Sequence, residues 1–165
     1  EGGRGGRGGR GGWGGWEVRV EGAVLGEVER GFWSVRGVSG EDSREIAERM
    51  ADKICRLRRF EDADGKTNCS LADVGGALLV ISQFTLYADC RKGNRPSFIK
   101  AGAPEMAEAL YEHFMERCRT HVAQVEKGRF GADMEVELLN DGPVTLMADS
   151  AEVVERVGGG RRRKQ

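Results

Sequence analysis

Apolar residues along this chain recur with two different periods, and the switches between them lay out its elements. The stretch "WEVRVEGAVLGEV" (16–28) alternates apolar and polar positions on either side of Glu21-Gly22, which predicts two short strands joined by a tight turn. "GFWSVRGV" (31–38) continues as a weaker third strand, with Ser34 and Arg36 standing where a buried apolar run is expected. The period then lengthens: Ile46, Met50, Ile54 and Leu57 share one helical face, and the capping-box spacing of Ser39 and Asp42 predicts a helix starting near Ser39. A second helix is expected from Ala103-Pro104, with proline in the first turn, Glu105 favoured by the dipole, and Met106, Leu110, Phe114 and Cys118 recurring every fourth residue.

Between the two helices, "FEDADGKTN" (60–68) carries the Asp64-Gly65 pair of a tight hairpin, and "GALLVISQFTLYA" (76–88) reads as the most apolar strand, expected at the centre of a sheet. Near the end, "ADMEVELL" (132–139) alternates again, but Gly142-Pro143 interrupts "LLNDGPVTLM" before an apolar run resumes at Val144. The pattern as a whole predicts an α+β domain with a mostly antiparallel sheet and two principal helices.

Composition changes this picture mainly at the ends. The chain has 165 residues, 39 % apolar and 32 % charged, enough for one domain with a real core. No apolar run reaches membrane-spanning length and no signal-peptide apolar region opens the sequence, so a soluble, cytoplasmic protein is expected. The formal net charge of −1 divides into +2 over residues 1–12, +4 over "RRRKQ" (161–165) and about −7 between them. Residues 1–15 form a Gly/Arg-rich repeat too poor in apolar side chains to offset ordering entropy, with an Arg-Gly-Gly character similar to RNA-binding tails. The domain is therefore expected over 16–150, followed by a basic tail over 151–165.

Candidate chemistry is sparse. Cys55, Cys69, Cys90 and Cys118 form no C-x-x-C pair and have no histidine at metal-ligand spacing, which points to buried or incidental thiols rather than zinc or redox work. His113 falls within the second helix and His121 just beyond it, so both read as structural. Glu61, Asp62 and Asp64 lack calcium-loop spacing and read as a solvated turn. No nucleophile-base pair, phosphate-binding glycine motif or metal cluster emerges from spacing.

Four strings carry more. "SQFTL" (Ser82–Leu86), "RKGNRPSF" (Arg91–Phe98), "GRFGADM" (Gly128–Met134) and "NDGPVT" (Asn140–Thr145) resemble the D-aminoacyl-tRNA deacylase family in wording, order and spacing, over about Val18 to Ser150. The first string separates the chain from the threonine-tRNA-editing relatives. The resemblance implies a homodimeric, barrel-like α+β fold that hydrolyses the ester between a D-amino acid and the tRNA 3′ ribose, with aminoacyl-tRNA as partner and no cofactor or metal. It implies a cis Gly142-Pro143 bond reaching into the partner subunit's site, whose carbonyls hold the substrate ammonium so that an L side chain strikes backbone. Asn140, Asp141 and Thr145 would support that motif. Achiral glycine would pass such a filter, so glycyl-tRNA is an expected side substrate.

For the hydrolytic step, Thr85 is the one hydroxyl that invites a nucleophile assignment, but the sequence supplies no partner to activate it. The resemblance instead implies help from the tRNA 2′-hydroxyl, with backbone N–H groups around Gln83, Phe84 and Thr85 holding the oxyanion and Ser82, Gln83 and Thr85 as positioning residues. Arg91, Lys92 and Arg95 are candidates for tRNA phosphates. The front of the chain departs from the family: a first strand with a Gln-Arg-Val string is expected there, and Gly11, Gly12 and Trp13 occupy its place. That departure keeps open a second function, a catalytically impaired relative that binds nucleic acid through its basic tails.

Overall fold

The alternation that opens the domain does become a hairpin. In the computed structural model, which describes residues 16–140 and 144–153, β1 (Trp16–Val20) and β2 (Ala23–Val28) pair antiparallel around Glu21 and Gly22. Both turn residues have positive φ, 50° and 79°, as a two-residue turn matched to strand twist requires. The other edge of β1 pairs antiparallel with β8 (Glu135–Leu138); Val136 of this strand and Met134 just before it pack toward the core. The Gly/Arg-rich segment 1–15, with the missing first-strand string at Gly11–Trp13, lies outside the described residues, as do Asp141, Gly142, Pro143 and the tail beyond Val153. The expected cis geometry of Gly142-Pro143 lies outside them too.

The second sheet is parallel throughout, so the fold is α+β with mixed sheets. Its order is β3 (Gly31–Arg36), β6 (Ala77–Ser82), β7 (Val125–Lys127), with β6 in the middle. Ala77 through Ile81 are all buried. A strand flanked on both sides and covered on both faces needs a continuous apolar run, and "ALLVI" supplies it. Leu78 and Val80 face α1 (Arg44–Arg56) and α2 (Pro104–Arg119), whereas Ala77, Leu79 and Ile81 face Val18 and Val28 of the antiparallel sheet. The domain thus has three layers, with the most apolar strand in the middle one.

Helix α2 begins where proline and the dipole argument place it, and Leu110, Phe114 and Cys118 are buried. Helix α1 begins later than Ser39. Asp42 reaches back to the Ser39 N–H (3.0 Å) and closes a separate turn, leaving Ser43 to accept the Ile46 N–H and cap the helix. Three pairs join the helices: Arg117 forks onto Asp52 (2.7 and 2.9 Å), and His113 meets both Glu48 (2.7 Å) and Arg44 (3.1 Å). Just beyond α2, His121 adds a 2.6 Å bond to Asp52, so both histidines tie this part of the chain to α1, in keeping with their structural reading.

The hairpin at Asp64-Gly65 is present as β4 (Phe60–Glu61) and β5 (Thr67–Cys69), with Asp62 accepting the N–H groups of Asp64 and Lys66. A short α3 (Ser150–Val153) was not signalled by any apolar period. Nor does the strand expected over 76–88 run that far. Gln83 donates its N–H to the carbonyl of Arg36 (2.8 Å), the last residue of β3, and the chain then coils into a 3-10 turn at Phe84–Tyr87. The apolar residues Phe84 and Leu86 in that turn face outward.

Candidate active site

Residues 82–87 hold an exposed turn at the carboxyl end of the central strand. Ser82 is the last residue of β6 and pairs in register with Arg36. Gln83 follows in extended conformation, and its amide Nε2 donates to Thr85 Oγ1 at 2.5 Å. The partner of the Thr85 hydroxyl is therefore an amide, which cannot take its proton. Thr85 keeps its own O–H free to donate outward.

The backbone of this turn has a further property. Its first internal bonds run from Leu86 N–H to the Gln83 carbonyl and from Ala88 N–H to the Thr85 carbonyl. The N–H groups of Phe84 and Thr85 precede those bonds and have no acceptor within the turn, as at any helix start. Two adjacent amide donors are thereby presented beside an exposed hydroxyl.

What lies beneath the turn keeps it in place. A Cβ on Gly37 would stand 3.0 Å from the Tyr87 ring and 3.1 Å from Leu86 Cβ, so the missing side chain lets the turn rest on the end of β3. Next to Gly37, the Arg36 guanidinium is buried over the Phe114 ring, 4.1 Å from its centroid, and its Nε has no hydrogen-bond partner. Desolvation lowers its pKa, partly countered by the charge of Asp42. Beyond Tyr87 opens a cleft of about 850 Å³ bordered by Ser39, Asp42, Ile46, Lys100 and Asp149.

The basic loop that follows is closed on itself. Asp89 and Ser97 exchange both backbone hydrogen bonds (2.7 and 2.9 Å), and the Asp89 carboxylate accepts from the Arg91 side chain and backbone N–H. The Arg91 guanidinium holds the Asp89 carboxyl down at about 2, below its ordinary value. Lys92 and Arg95 are exposed on the same loop. At its far end, Phe98 returns to Phe84 in an edge-to-face contact, ring centroids 5.0 Å apart.

The second motif stands on a different sheet. Asn140 follows β8, and its side-chain oxygen accepts the Val144 N–H (3.3 Å). Thr145 is exposed. Leu138, Leu139, Leu146 and Met147 are exposed around it, Met147 almost fully at 96 %. The structure thus gathers Ser82, Gln83, Phe84 and Thr85 with the 91–98 loop, and leaves Asn140 and Thr145 in the segment beyond β8 of the other sheet. Arg36, Gly37, Asp89 and Phe98 were missed as contributors to the site; only the oddness of a charge at position 36 hinted at one of them. Among the described residues, no group of three or more His, Cys, Asp or Glu side chains is placed to hold a metal.

Comparison with known proteins adds the family. Residues 16–149 match the family model described as D-Tyr-tRNA(Tyr) deacylase. The D-aminoacyl-tRNA deacylase of Clostridium kluyveri is 53 % identical over 137 residues, covering 83 % of this chain and 92 % of that protein. The protein of the same name from Thermosipho africanus is 49 % identical with the same coverage. Among solved structures, one titled "c-Myc DNA Unwinding Element Binding Protein" superposes with a TM-score of 0.76 at 39 % identity, covering 81 % of this chain and 91 % of its own. Another, titled as a probable eukaryotic D-amino acid tRNA deacylase, reaches 0.67 at 16 % identity over 79 % and 91 % and speaks for the fold alone.

Proposed function

We infer that this chain, which belongs to the D-Tyr-tRNA(Tyr) deacylase family and is a D-aminoacyl-tRNA deacylase, divides its reaction between its two motifs. Ser82–Thr85 carries the hydrolytic step. The observation that carries this assignment is the pair of N–H groups at Phe84 and Thr85 that have no acceptor within an exposed turn. A tetrahedral oxyanion forming on the ester carbon needs such donors fixed in advance. Gln83 clamps the Thr85 hydroxyl as an acceptor, so Thr85 acts as a donor to substrate rather than as a nucleophile. The attacking water is then activated by the tRNA's own terminal 2′-hydroxyl.

Gly142 and Pro143 form the chiral filter in a cis peptide bond, supported by Asn140, Asp141 and Thr145. The hydrogen bond between Asn140 and Val144, the residues that bracket this segment, supports that role for Asn140. Two parallel carbonyls would hold the substrate ammonium, turning a D side chain outward and an L side chain into backbone. Glycyl-tRNA would pass and be hydrolysed. The exposed Leu138, Leu139, Leu146 and Met147 around this loop are apolar surface that a second copy would cover, which supports a homodimer with the loop reaching across. A protein whose substrate is aminoacyl-tRNA works in the cytoplasm, and no helix among the described residues is long and apolar enough to cross a membrane.

Side-by-side assay of D-tyrosyl-tRNA and L-tyrosyl-tRNA, with sedimentation of the same sample, tests this reading. The expected result is rapid release from the D ester alone by a dimer. Pro143→Ala is expected to raise L-ester cleavage relative to D, and unchanged L rejection in that variant would remove the filter. A second reading, a non-catalytic nucleic-acid-binding relative, is favoured by one observation, the binding-protein title of the structure that is 39 % identical. Salt-sensitive RNA binding lost with both basic tails, without turnover, would establish it instead.

A further inference from the structure

The turn proposed to carry the oxyanion donors has little to hold it. It is four residues long, has no side-chain cap and contains no buried residue, and Phe84 and Leu86 are both more than half exposed. Preorganised donors are useful only if they do not move as charge develops. From below, the turn is fixed by the Gln83 N–H on Arg36 and by the fit of Tyr87 against Gly37. Both anchors act at its ends, and neither touches Phe84.

Phe98 does touch it. The loop from Asp89 to Ser97 is shut by two backbone bonds and by the Asp89–Arg91 pair, so the position of Phe98 is set by a closed loop rather than a free one. Its ring meets Phe84 edge to face at a 70° interplanar angle, the geometry in which ring quadrupoles attract. We propose that Phe98 is a positioning residue for deacylation, bracing Phe84 from outside so that the Phe84 and Thr85 amides stay aimed at the oxyanion. This rests on the deacylase assignment of Ser82–Thr85. It gives the basic loop a mechanical role beside any contact with tRNA phosphates.

Two measurements on the full chain test it. In steady-state deacylation of D-tyrosyl-tRNA, Phe98→Ala and Phe98→Leu are expected to lower kcat by about 10-fold or more with KM within about two-fold. Phe98→Tyr, which keeps the ring edge, is expected to restore kcat. Backbone N–H order parameters at Phe84 and Thr85, from about 0.85 in the parent, are expected to fall below about 0.6 in the Ala and Leu variants and to return in the Tyr variant. A kcat unchanged in Phe98→Ala, or rescue by Leu as complete as by Tyr, would overturn the role of the ring. Unchanged order parameters at both N–H groups would overturn it whatever the activity. If the unmodified chain fails to cleave the D ester, the deacylase reading falls, while the order parameters still decide whether Phe98 braces the turn.

Discussion

A guanidinium with 8 % of its surface exposed has left most of its hydration behind, and at Arg36 little replaces it. Desolvating an ion costs several kcal/mol even after relaxation, whereas a cation over an aromatic face returns about 2 kcal/mol. The Nε without a partner adds to the deficit. Arg36→Leu is therefore expected to stabilise the protein by about 1–3 kcal/mol, read as a higher urea midpoint with unchanged slope. A lower midpoint would mean that the contact with Phe114 outweighs desolvation. Position 36 was legible as an anomaly in the sequence because a charge interrupts an apolar run, but its burial depends on α2 bringing Phe114 over it. The pairing of Gln83 with Thr85 was legible only as proximity; no pattern in the sequence says which side chain donates.

Elements were easier to read than sites wherever a period and a turn signal agreed. The first hairpin, the hairpin at Asp64-Gly65 and α2 follow from local rules, since each is stabilised by contacts near in sequence. The parallel pairing of β6 did not follow, because strand direction is decided by crossovers that local alternation does not encode. Likewise Phe84 and Leu86 looked like strand core, yet β6 loses its partner once β3 ends.

The joint between α1 and α2 carries a pH dependence. Hydrogen bonding from Arg117 holds the Asp52 carboxyl at about 2, below its ordinary 3.8, despite partial burial. A carboxyl depressed in the folded state stabilises above its unfolded pKa, and that contribution disappears as pH falls from about 4 to about 2. Asp52→Asn is expected to cost about 1–2 kcal/mol at pH 7, allowing for solvent around the half-exposed Arg117. Urea unfolding at pH 7 and pH 2 checks this: the gap between variant and parent should close at pH 2. A gap that persists there would assign the loss to packing.

At the scale of the whole molecule, an acidic body has to receive a polyanion, so the few exposed cations near the site matter. Arg91 is occupied by Asp89, whereas Lys92 and Arg95 project from the same closed loop. Lys92→Ala and Arg95→Ala are each expected to weaken tRNA binding and to reduce the slope of log K against log salt by about 0.7–0.9, with a smaller change for Arg91→Ala. Equal slopes in all three variants would place the phosphates elsewhere. This distinction was invisible in the sequence, where "RKGNRPSF" offers three equivalent cations; only the return of Asp89 onto Arg91 separates them.

The parallel middle layer also sets a timetable. Gly31 pairs with Ala77, and Leu78 with Val125, so each edge of β6 meets a partner about 45 residues away along the chain, one earlier and one later. At ribosomal speeds of about 5–20 residues per second, β3 emerges roughly 2–9 s before the strand that covers it, and β6 then waits as long again for β7. During that interval "ALLVI", the stretch most buried in the finished domain, is the stretch most open to pairing with a neighbouring nascent chain.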